Sequence, residues 1–146
     1  MKRAYLFFAS LFFFGASSIA SPSADGYRTI ENLVQSINAG DSEGVIKSFA
    51  PDATFLGTTT KILITRPEGI KSYFDRVFST LRPLTVTIRE KSLTEVTDNV
   101  VIFSGIDSWT VTLNGEVREA AGRLTVVVAK RNNQWQIVNF HRSSLP

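Results

Sequence analysis

The sequence predicts an α+β fold: a strongly bent antiparallel sheet packed on N-terminal helices, with a cone-shaped cavity between them. Three observations carry this. Apolar residues recur at helical spacing as far as Leu81, then switch to the two-residue alternation of strands from Leu84 onward. Asn114-Gly115 and Arg131-Asn132-Asn133-Gln134 place hairpin turns between the long strands. Gly105 and Gly122 fall in mid-strand, where bulges or bends would curl the sheet. Helices first and strands afterwards is the α+β order.

The first 20 residues stand apart from this domain. Met1-Lys2-Arg3 is a short positive segment, Ala4 to Ala16 an apolar run rich in Phe and Leu, and Ser18-Ile19-Ala20 a small-residue cleavage pattern. This is the build of a secretory signal peptide cut after Ala20, which predicts a periplasmic or secreted protein. The apolar run is shorter than the roughly 20 residues a membrane span needs, so no stable membrane anchor is expected after cleavage. Ser21 to Gly26 reads as a flexible leader, and residues 27–146 as one domain.

Within the domain, Tyr27, Ile30, Leu33, Val34 and Ile37 form the buried stripe of a first helix that stops at Gly40. Asp41 caps a second, shorter helix carrying Val45, Ile46 and Phe49, which Ala50-Pro51-Asp52 ends. A strand starts at Thr54 to Leu56. Gly57 to Lys61 is a polar loop suited to a pocket mouth, and Ile62 to Ile64 extends the sheet edge. Thr65-Arg66-Pro67-Glu68 has the pattern of a capping box and opens a third helix from Pro67 to about Thr80. Its apolar face holds Ile70, Tyr73, Phe74, Val77, Phe78 and Leu81. Strands follow at Leu84 to Leu93, Val100 to Leu113, Glu116 to Lys130 and Trp135 to Phe140. Leu124 to Ala129 is a β-branched run, apolar but for Thr125, and reads as a strand buried on both faces.

Composition excludes several function classes. The chain carries a net charge of +3. Of its 16 basic side chains two leave with the signal segment, and the 14 remaining stand against 13 acidic ones. That balance, without a basic cluster interleaved with aromatics, gives no nucleic-acid surface. There is no cysteine, so thiol catalysis, thiolate metal sites and disulfides are absent, and the roughly 126 residues of the processed chain must be held by core burial. One histidine cannot build a histidine-rich zinc site. No metal and no cofactor is expected.

Trp135-Gln-Ile-Val-Asn-Phe-His-Arg-Ser143 resembles the closing strand of the association (hub) domain of calcium/calmodulin-dependent protein kinase II and its bacterial relatives. These lie within the nuclear transport factor 2-like, or SnoaL-like, superfamily with its cystatin-like architecture. Tyr73-Phe74-Asp75-Arg76 is similar to the Tyr-Phe-Glu-Asn of the hub's long helix, Asn114 to Arg118 to its central hairpin, and Thr125 to Trp135 to its penultimate strand and turn. The resemblance implies a cone-shaped α+β barrel that forms a homodimer or a ring of dimers. It also implies a pocket with Arg142 inside. The other two arginine positions of the hub pocket hold Ile106 and Val126, and since these 146 residues include no kinase domain, the hub role itself is not expected to transfer.

The ligand-binding candidates are Arg142, Tyr73, Phe78 and Trp109; the catalytic candidates are Asp107 and His141. Arg142 offers a planar fork to a carboxylate or phosphate, or forms an ion pair with an acidic neighbour. Tyr73 offers a hydrogen bond to an oxyanion, or belongs to the helix core. Asp107, within an apolar strand, is either a desolvated base or a surface aspartate at a bend. His141 is either a general base or an interface histidine. Strand alternation places Arg142 with Phe140 and Val138 on one face, and His141 with Asn139 and Ile137 on the other. Three functions fit these residues: an exported, dimerising domain that binds a small, partly apolar ligand; a SnoaL-like isomerase, cyclase or dehydratase using Asp107 or His141; and a pure oligomerisation module.

Overall fold

Helix α1 (Pro22–Ala39) is written into its ends. Ser21 accepts a hydrogen bond from the Ala24 N–H, Pro22 occupies the first turn, and Gly40 closes the helix in the left-handed conformation at φ 68°. The computed structural model describes residues 21–146, so the expected signal segment lies outside the described residues. The expected leader at 21–26 is instead the first turns of α1. Two tertiary contacts hold it there: the Ser23 N–H donates to Glu95 at 2.9 Å, and Gly26 packs directly on Val101.

Asp41 caps α2 (Ser42–Lys47) as expected, accepting from the Gly44 N–H. Strand β1 (Phe49–Leu56) then begins five residues before the expected start. Phe49 pairs with Ile137, pairing lapses, and it resumes at Thr54, so Pro51, which has no N–H to give, lies in the interruption. Ile64 alone of its segment bridges back to the sheet, through both of its hydrogen bonds with Phe55, while Ile62 and Leu63 stay exposed. Helix α3 (Pro67–Thr80) has Arg66 at its N-cap without a side-chain bond, so the expected capping box at Thr65 is not formed; Pro67 sets the first turn.

The remaining chain is β2 (Leu84–Thr97), β3 (Val100–Leu113), β4 (Glu116–Arg131) and β5 (Gln134–Ser144). These four are antiparallel neighbours, and β1 joins β5 in parallel, giving a mixed sheet of order β1-β5-β4-β3-β2. Asn114, Gly115, Asn132 and Asn133 all have positive φ, the backbone that two-residue hairpins demand. The bend does not come from a bulge at Gly105, which stays in register with both neighbours. The bulge is opposite, at Arg89 of β2, and bare Gly105 admits the Glu90 carbonyl at a place where a Cβ would stand 2.6 Å away.

A second irregularity lies in β5 at Val138, where pairing steps from Val127–Asn139 to Val128–Ile137. It shifts the alternation by one. Ile137 is therefore in the core with Phe140, not beside His141, while Asn139 and His141 face outward. The core lies between the concave sheet face and the helices, built on Ile30, Leu33, Phe55, Phe74, Phe103 and Val126. Phe55 stacks on Phe140 and meets Tyr73 edge-on, both at 5.0 Å, which anchors α3 over the sheet.

Candidate functional site

The open end of the cone is a cavity of about 590 Å³. Tyr73 and Val77, one helical turn apart on α3, and Leu81 beyond it form one wall. Trp109 and Val111 of β3 form the opposite wall, Thr58 and Thr59 of the loop after β1 close one side, and Arg142 of β5 forms the floor. The lining is mostly apolar and its size suits a small organic ligand.

Arg142 is buried, and four of its five N–H bonds are occupied. Nε donates to Asp107 Oδ2 at 2.7 Å, and Nη2 to Asp107 Oδ1 at 2.7 Å and to the Ala120 carbonyl at 3.3 Å. Nη1 donates to the Thr58 hydroxyl at 2.6 Å. Asp107 is 2% exposed, and its Oδ2 also accepts from Trp109 Nε1 at 2.9 Å. The guanidinium lies 4.9 Å from the centre of the Trp109 ring. Gly122 makes room for this arrangement, since a Cβ there would overlap the guanidinium. Of the two readings of Arg142, the ion pair is the one formed, and its fork is spent on Asp107 rather than open to a ligand.

Tyr73, Trp109 and Arg142 thus share the cavity wall. Phe78 does not line it. One residue beyond Val77 on α3 it turns away, pairs with Phe74 at 5.7 Å, and carries the Arg82 guanidinium over its ring. Asp107 sits behind Arg142 with both oxygens accepting hydrogen bonds, and His141 is exposed on the other sheet face, between Leu56 and Thr125. Neither meets the cavity as a free base. Val126 is core and Ile106 half-buried, so no further arginine joins Arg142 at the floor. Among the described residues there is no cluster of three His, Asp or Glu side chains placed to hold a metal.

The loop expected at the pocket mouth contributes Thr58 and Thr59, whereas sequence reasoning missed Arg76, Arg118 and Glu119, which also line the cavity. Arg76 had a legible signal, three residues after Tyr73 on the same helical face. Arg118 and Glu119 had none, because only the curl of β4 brings them to the mouth. Glu119 is tied to Ser108 at 2.5 Å and to Arg89.

Comparison with solved structures gives the same fold. A candidate calcium/calmodulin-dependent protein kinase II association domain from Xanthomonas campestris is 24% identical, with a TM-score of 0.75 over 82% of this chain and 85% of that one. A nuclear transport factor 2-like protein of unknown function from Pseudomonas putida is 14% identical, at 0.73 over 83% and 84%. A candidate dehydratase of the nuclear transport factor 2-like family from Streptomyces avermitilis is 8% identical, at 0.76 over 85% and 96%. At these identities the likeness is one of fold. No curated protein matches the chain. The sequence model of the calcium/calmodulin-dependent protein kinase II association domain matches residues 23–146, nearly the whole of the described chain. The hub-like closing strand, the curled sheet and this match converge, and the chain belongs to the calcium/calmodulin-dependent protein kinase II association domain family.

Proposed function

We propose that this is an exported domain that holds a small, largely apolar molecule in the cone and dimerises through the outer face of its sheet. The observation that carries the binding role is the mostly apolar cavity of about 590 Å³, closed below by a charge-neutral Arg142–Asp107 pair. A domain needed only for assembly has no use for a concave apolar surface left uncovered, whereas such a surface is the usual build of a small-molecule site. Export rests on the segment Met1 to Ala20, with its positive start, apolar run and small-residue cleavage pattern. Dimerisation rests on family membership and on the row Leu56, His141, Thr125 and Ser104, exposed side by side across four strands.

Acid–base catalysis of the dehydratase or isomerase kind is the weaker reading. It needs a carboxylate or imidazole within reach of the ligand, whereas Asp107 is engaged by three N–H donors and His141 is on the far face. Native mass spectrometry of the purified protein tests the binding role. The expected result is a small mass that leaves on collisional activation, or uptake of an apolar probe. A protein that takes up nothing from an apolar library would reduce the reading to assembly alone.

A further inference from the structure

The geometry points to an amphipathic, singly anionic ligand whose apolar body fills the cone and whose acidic group meets Arg76 and Arg118 at the rim, not Arg142 at the floor; this deepens the binding role proposed above. The floor cannot take the acid. Arg142 has one N–H left, on Nη1, and a carboxylate held by arginine wants two parallel ones. A second carboxylate there would also face Asp107, whose charge already balances the guanidinium. The floor suits a neutral group, at most one that accepts a single hydrogen bond.

The rim differs. Arg76 on α3 and Arg118 on β4 both line the cavity and are exposed. Among the described residues no carboxylate lies within ion-pair reach of Arg76, and Arg118 has only a loose 3.4 Å contact with exposed Glu116. The acidic residue on the lining, Glu119, is already bound to Arg89 and Ser108. Between floor and rim the walls are Tyr73, Val77, Leu81, Trp109 and Val111, which suit a chain or ring without charge. Two cations at the mouth of an apolar cone, Arg76 without an ion-pair partner among the described residues and Arg118 held only by exposed Glu116, would capture an organic acid by its head, with the tail directed inward.

Calorimetric titration of the purified protein with octanoate, 1-octanol and succinate tests this. Octanoate should bind about five-fold more tightly than 1-octanol, the worth of one or two exposed ion pairs, and the advantage should shrink with added salt. Succinate, acidic but without an apolar body, should not bind. The double variant Arg76→Gln/Arg118→Gln should bring octanoate to the affinity of 1-octanol while leaving 1-octanol unchanged. Equal binding of the two eight-carbon probes to the unaltered protein, or a preference that survives the double variant, overturns the rim assignment alone. Binding of succinate in preference to both overturns the apolar body as well. Failure of both eight-carbon probes overturns the inference together with the binding role on which it rests.

Discussion

Arg142 shows how tertiary structure selects between two roles that the sequence leaves open. Its guanidinium reads as an anion receptor, yet Asp107, 35 positions earlier, meets it with two 2.7 Å bonds where both side chains are nearly inaccessible. Removing one partner leaves the other charge buried and unpaired. Arg142→Ala and Asp107→Ala should each cost about 3–5 kcal/mol in urea denaturation. The double variant should cost clearly less than the sum, because the second deletion removes the charge that the first exposed. Simple additivity would mean that the two groups are independently solvated. Arg142→Ala is therefore a poor probe of ligand binding, since lost affinity would be confounded with lost stability.

At the scale of the element, the start of α1 is set by its partner across the molecule. The Ser23 side chain, and then its backbone N–H, hold the Glu95 carboxyl below the ordinary glutamate range. A carboxylate with a depressed folded-state value stabilises the fold above the unfolded value of about 4.3, and that contribution fades as pH falls through the folded one. Carboxyl-carbon NMR titration should therefore place the Glu95 midpoint below that of an unfolded-chain glutamate. Glu95→Gln should weaken exchange protection at Ala24 and Asp25 at neutral pH. A midpoint at or above the ordinary value would dismiss the tether. The bulge at Val138 acts similarly at a distance: it sets which residues of β5 face the cone, and so puts Ile137, Phe140 and Arg142 inside and His141 outside.

For the whole molecule, the proposed dimer uses the sheet face that the cone leaves free. Leu56, His141, Thr125 and Ser104 form an exposed row there, with no helix over it. Sedimentation equilibrium should give twice the chain mass, and Thr125→Arg should return a folded monomer, since like charges would meet near a two-fold axis. A dimer unaffected by that charge would place the interface elsewhere. Cavity and interface then lie on opposite faces of one sheet, so assembly leaves the mouth accessible.

The sequence by itself determined the class of fold, the order of elements and the two tight hairpins, because periodicity, caps and Asn-Gly turns act within a few residues. Three of the residues it singles out line the cavity: Tyr73 lies on the apolar stripe that helix spacing gives, Trp109 is named for its aromatic side chain, and Arg142 is placed inside by the family resemblance. Tertiary structure alone decided the rest. The pairing of Arg142 with Asp107, the parallel entry of β1 and the arrival of Arg118 at the rim all depend on contacts between distant segments. The register shifts at Arg89 and Val138 are of the same kind: no local pattern marks them, and bulges of this sort bend and twist a sheet.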